Sequence, residues 1–81
     1  MSLDEAIKAL ESRRTTIRFR MLVTLCASFF GEPRVRGSHH IFKMPWPGDP
    51  RINLQEDDTN AKPYQVQQVV QALKKLRAMG E

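Results

Sequence analysis

The stretch Arg34-Val-Arg-Gly-Ser-His-His-Ile-Phe-Lys-Met44 does most to limit what this chain can become. It sets strand-like residues on both sides of a Gly-Ser break, and such a break permits a hairpin turn or a tight bend. Successive side chains of a strand point to opposite faces. His40, Phe42 and Met44 therefore share one face, mostly apolar and bound for the interior. His39, Ile41 and Lys43 share the other, which joins a histidine to a cation and is the face left for a partner. Just downstream, Pro45-Trp-Pro-Gly-Asp-Pro50 excludes regular structure, because its prolines remove backbone donors and Gly48 frees the chain. Arg51-Ile-Asn-Leu-Gln55 alternates again and predicts a third strand. Trp46 reads as a packing residue at the sheet edge, with stacking on a base as the alternative.

Helical signals flank this centre. Ser2 and Glu5 have the spacing of a capping box, and Leu3, Ala6, Ile7 and Leu10 form a narrow stripe behind it. They predict a short, peripheral first helix, broken off at Ser12–Thr16. A second helix is predicted from Ile17 to Phe30, with Leu22, Leu25, Cys26, Phe29 and Phe30 on its buried face. Gly31 suits the left-handed position past its end, and Pro33 forbids continuation. Cys26 belongs to the stripe and reads as a small core residue, not a reactive thiol. Pro63 suits the first turn of a closing helix whose stripe is Val66, Val69, Val70, Leu73 and Leu76, ended by Gly80. Lys74, Lys75 and Arg77 near its end complement the helix dipole and aid solubility, with RNA contact as the alternative.

The order helix, helix, three strands, helix predicts a two-layer α+β domain, with helices on one face of a small antiparallel sheet. The other face stays open to solvent or a partner. Leu22, Leu25, Phe29, Phe42, Val66, Val70 and Leu73 are the expected core. At 81 residues there is room for one domain with a thin core. The lone Cys26 excludes an intrachain disulfide and a cysteine-based zinc site, and favours a cytoplasmic setting. Met21–Phe30, the longest apolar-rich run, is about half of the ~20 residues that span a bilayer, so no membrane role is expected.

The net charge of +4 is modest, but its placement is telling. Arg13, Arg14, Arg18, Arg20, Arg34, Arg36, Lys43 and Arg51 crowd the middle, opposed there only by Glu32 and Asp49. Such a region attracts polyanions, or is simply a solvated cationic face. Histidine is the side chain best able to exchange a proton near neutral pH. RNA cleavage asks for a base at the 2′-hydroxyl, an acid at the leaving oxygen and cations for the phosphorane charge. His39 between Arg36 and Lys43 supplies part of that set, and a merely structural histidine is the alternative. His40, beside Phe42, reads as a partly buried ring held by a hydrogen bond. Adjacent histidines on opposite faces of a strand do not chelate one metal, so no metal and no cofactor is expected. Asp57-Asp58 lies in a turn and is expected to be solvated. Neither a Gly-rich phosphate loop nor a Ser/His/Asp set is present.

Gly37-Ser-His-His-Ile-Phe42 resembles the Gly-Ser-His-x-x-aromatic signature of HicA-type toxins, small messenger-RNA interferases paired with HicB antitoxins. The resemblance runs from about Ile17 to Leu76. It takes in a helix ending in Phe-Phe-Gly, the Arg-x-Arg-Gly-Ser-His strand pair, the Pro-Gly-Asp-Pro-Arg loop and the Lys-Pro-Tyr-Gln-Val helix. It implies a fold like a double-stranded RNA-binding domain over residues 15–81, with residues 1–14 a helical addition outside the shared core. It also implies a bacterial, cytoplasmic, metal-independent endoribonuclease that cleaves mRNA, with a HicB-type antitoxin as partner. His39 falls on the family's catalytic position. Gly37 and Ser38 would shape the strand entry, and Arg36 and Lys43 would hold phosphate. Many members carry a second histidine after the third strand and a Gly-Thr at the start of the last helix. Here those regions read Asn53-Leu-Gln55 and Lys62-Pro-Tyr-Gln65, which leaves one histidine with cations as the chemistry. A non-catalytic RNA-binding module, or a protein acting only in an antitoxin complex, are the other readings.

Overall fold

The structure, a computed structural model, describes residues 1–12 and 16–80. The boundary expected at residue 14, and Arg13 and Arg14 of the basic middle, lie outside the described residues. Helices α1 (Leu3–Glu11) and α2 (Phe19–Phe30) precede strands β1 (Arg34–Arg36), β2 (His39–Lys43) and β3 (Arg51–Gln55), and α3 (Pro63–Met79) closes the chain. The strands form one antiparallel sheet in the order β1-β2-β3. One dimension of the molecule is only 19 Å, room for a sheet and one layer of helices. The chain is thus the expected two-layer α+β domain.

Local chemistry explains most boundaries. Ser2 Oγ accepts from the Glu5 N–H at 3.1 Å and Glu5 Oε1 from the Ser2 N–H at 3.2 Å, the capping box that starts α1. Gly31 takes φ +89° at the end of α2 while its N–H donates to the Ala27 carbonyl. Gly37 takes φ +56° at the first corner of the two-residue β1–β2 turn, a conformation other residues resist. Pro63 occupies the first turn of α3.

Three expectations need correction. The second helix begins at Phe19, not Ile17. Ile17 and Arg18 are instead pinned alongside the segment before α3: Arg18 bridges Asn60, the Ala61 N–H donates to the Ile17 carbonyl at 2.8 Å, and the Phe19 N–H donates to Thr59 at 2.9 Å. Helix α1 is not peripheral. Ala6, Ile7 and Leu10 are buried and join the same core as Leu22, Phe42 and Leu73. The helix lies on α3, where Asp4 meets Arg77 and Glu11 meets Lys74, each at 3.0 Å. These cations of α3 therefore serve a neighbour as well as a dipole. Lastly, Leu22, Leu25, Phe42, Val70 and Leu73 are core as expected, whereas Phe29 and Val66 are only half-buried against it. The closing helix also buries Val69 of its stripe and, outside the stripe, Ala72 and Gln65, because α1 and the sheet cover a wider arc than the valine–leucine stripe.

Candidate functional site

Register decides what the sheet presents. His40 stands opposite Leu54 and Phe42 opposite Ile52, and Phe42, Leu54 and Ile52 are buried beneath the helices. Residues directly opposite in an antiparallel pair share a face. Hence the outer face carries His39, Ile41 and Lys43 from β2, with Arg36 opposite His39, Arg34 opposite Ile41, Arg51 opposite Lys43, Asn53 opposite Ile41 and Gln55 opposite His39. The alternation read from the sequence put these β2 residues on this face.

The face is one-signed. Among the described residues, no carboxylate pairs with Arg34, Arg36 or Lys43. Arg51 alone is engaged, by Asp49 at 3.1 Å, and that pair is exposed and weakly screening. Placing Lys43 opposite Arg51 costs a few tenths of a kcal/mol, up to ~1 kcal/mol, in like-charge repulsion. A bound polyanion would remove that cost. Arg20 does not join in: it is on α2, behind the sheet, and lines a pocket with His40 and Glu56.

His39 is half-buried, and its Nδ1 lies 3.1 Å from Asn53 Oδ1. A carbonyl oxygen only accepts, so Nδ1 carries the proton and donates to it, which leaves Nε2 with the free lone pair. Asn53 thus orients the ring and, with its amide oxygen toward Nδ1, favours the tautomer with an unprotonated Nε2. The sequence marked Asn53 only as the place where a second histidine is missing. Its signal was the alternation of β3, which puts Asn53 on the outer face, but contact with His39 required the register.

The two cations singled out beside His39 are separated by the structure. Arg36 stands directly across from His39. Lys43 lies four residues further along the same strand, ~13 Å away at the strand rise. It serves a different part of any bound chain. Gly37 and Ser38 form the turn that starts β2, and the Ser38 carbonyl accepts from the Glu56 N–H at 2.8 Å, which fixes the entry to His39.

His40 departs from expectation. Its ring lies edge-on to Phe19 with centroids 5.2 Å apart, and its buried Nδ1 has no hydrogen-bond partner among the described residues. Packing, not a hydrogen bond, holds it. Behind the site, the buried Gln65 ties α3 to the sheet: its Nε2 donates to the Gln55 carbonyl at 2.9 Å and its Oε1 accepts from the Lys62 N–H. That residue falls in the segment the sequence marked as departing from the Gly-Thr pattern. Among the described residues, no cluster of histidine, cysteine or acidic side chains is placed to hold a metal. Nor is any helix long and apolar enough to cross a membrane.

No family model matches this chain, and neither a curated protein nor a solved structure does.

Proposed function

We propose that the outer face of the sheet binds RNA and that His39 cleaves it, as in the HicA-type mRNA interferases whose Gly-Ser-His signature the chain resembles. The observation that carries this reading is the single constellation of His39, Asn53 and Arg36. The oriented imidazole offers Nε2 to a 2′-hydroxyl, while Arg36 answers charge growing on the adjacent phosphorane. Lys43, Arg34 and Arg51 extend the cationic track along the flanking phosphates. The reaction uses no metal: the 2′-oxygen attacks phosphorus, the 5′-oxygen leaves, and the proton taken by Nε2 is returned to product. The resemblance also supplies a HicB-type antitoxin as the partner that holds the activity in check, and the cytoplasm as its place of action.

A second reading has its own observation. The outer face holds no second histidine and no carboxylate beside His39 among the described residues, since His40 and Glu56 line a pocket on the helix side. One histidine would have to act as base and then as acid. A non-catalytic RNA-binding module needs only the cationic face.

One experiment separates them. Purified protein is incubated with single-stranded RNA in EDTA, beside His39→Ala. Cleavage by the wild type, with a ~10²–10⁴-fold loss in the variant, is the expected result. RNA that is bound but never cut moves the assignment to the binding module. Cutting by folded His39→Ala at the wild-type rate overturns the role of His39.

A further inference from the structure

A groove of about 500 Å³ runs beside α3, between that helix and the Pro45–Pro50 loop. Its surface is mostly apolar, floored by Met44, Ile52 and Ala72. Trp46 and Tyr64 are its aromatic groups, and Tyr64 is exposed. Along the α3 side stand Gln67, Gln68 and Gln71, and no carboxylate lines it. Tyr64, Gln68, Gln71 and Lys75 follow one another at intervals of three or four residues, which makes them a single stripe on the helix.

Arg51 belongs to both surfaces. It faces outward on β3 opposite Lys43, and it also lines this groove. A chain lying on the cationic face therefore passes the groove's mouth, with Lys75 available to a second phosphate. We propose that the groove takes an unstacked base of the single-stranded RNA bound on the outer face. The base would stack on Trp46 and Tyr64, and the glutamine amides would meet its edge. This rests on the RNA-binding reading and deepens it: the substrate is single-stranded, and base identity is read here, away from His39.

The chemistry of the lining favours a base over a protein segment. Side-chain amides carry donor and acceptor together, as base edges require, and aromatic faces stack any base. The indole is held in place, since Phe30 packs against it in a T-shaped pair with centroids 6.3 Å apart and planes at 89°. Lys75 Nζ lies 4.8 Å from the centre of its ring. An exposed cation–π contact of that kind is weaker than a base stack, so an incoming nucleotide displaces the ammonium toward its own phosphate.

Trp46 is the sole tryptophan, so its fluorescence reports on this groove alone. The full chain carrying His39→Ala, to prevent cleavage, is titrated with a single-stranded RNA of roughly 8 nucleotides. Binding is followed by anisotropy of a dye on the RNA, and stacking by Trp46 emission. The expected result is quenching in step with binding. Tyr64→Ala and Gln68→Ala, both at exposed positions and checked for folding by circular dichroism, should each weaken binding by ~5- to 30-fold without changing its salt slope. An abasic strand of equal length should bind all three proteins alike and leave Trp46 unquenched. Salt-dependent RNA binding with unaltered Trp46 emission and unchanged affinity in both variants overturns the base pocket and leaves the outer face standing. Absence of RNA binding at low salt overturns both. Quenching by an acidic amphipathic peptide but not by RNA overturns the proposal in favour of a protein-docking groove.

Discussion

Ile7→Ala asks whether α1 is part of the fold or an appendage. Ile7 is 3% exposed and lies in the same core as Leu73, which is fully buried. The substitution removes three carbons, worth ~0.8 kcal/mol each by transfer, and leaves a cavity that the surroundings fill only in part. Together these cost ~2–5 kcal/mol. A chain of 81 residues has a total stability of about 4–12 kcal/mol at the usual per-residue value. One isoleucine in the first helix should thus remove a large fraction of it, and lower Tm by at least ~8 °C. Asp4→Asn is the control. It breaks the contact with Arg77, whose side chains are 42% and 68% exposed, and should cost under ~1 kcal/mol. Urea and thermal unfolding followed by circular dichroism measure both. If Ile7→Ala unfolds with the midpoint of Asp4→Asn, α1 is not docked on α3 and Ile7 is not part of the core.

Three further outcomes follow from the outer face and the core. Neutralising Arg36 or Lys43 to Gln should each flatten the salt dependence of RNA binding by ~0.7 in log–log slope, whereas only Arg36→Gln should also slow cleavage, because Lys43 lies ~13 Å from His39. Asn53→Ala should lower kcat by ~3- to 10-fold with KM nearly unchanged, and Asn53→Asp, which keeps the acceptor, should recover most of the loss. A fall in KM-related binding instead would make Asn53 a phosphate or base contact. Burial pushes the Cys26 thiol up to about 12 from its ordinary 9.0. The folded state then holds a proton that the unfolded state releases, so stability is full below pH 9 and falls as pH rises toward 12, by up to ~1.4 kcal/mol per pH unit. Iodoacetamide should label Cys26 only on unfolding, and the alkaline fall should be smaller in Cys26→Ala.

What could be read in the chain itself was whatever a few neighbouring residues decide. The Ser2–Glu5 cap, the positive-φ glycines at 31 and 37, and the proline loop each depend on sterics or hydrogen bonds within one turn of chain. So does the alternation that turned His39 outward and Phe42 inward. The element order followed, and with it the two-layer architecture. Cys26 as a buried residue was equally plain, because its place in the stripe of α2 is a local fact.

Tertiary structure decided everything that depends on pairing distant segments. Ile17 has the residues to continue a helix, yet its carbonyl is taken by Ala61, and the helix starts two residues late. The stripe of α1 has no way to name its neighbour; α3 does, by offering Lys74 and Arg77 to Glu11 and Asp4. Asn53 touches His39 only because β3 pairs with β2 in one register; a shift by one residue would turn Asn53 to the other face and undo the contact. The same register carries Arg36 to His39 and strands Lys43 at the far end of the sheet. A local pattern selects a conformation for each segment, but the free energy of docking is shared between residues far apart in sequence, and only the folded chain brings their side chains within reach.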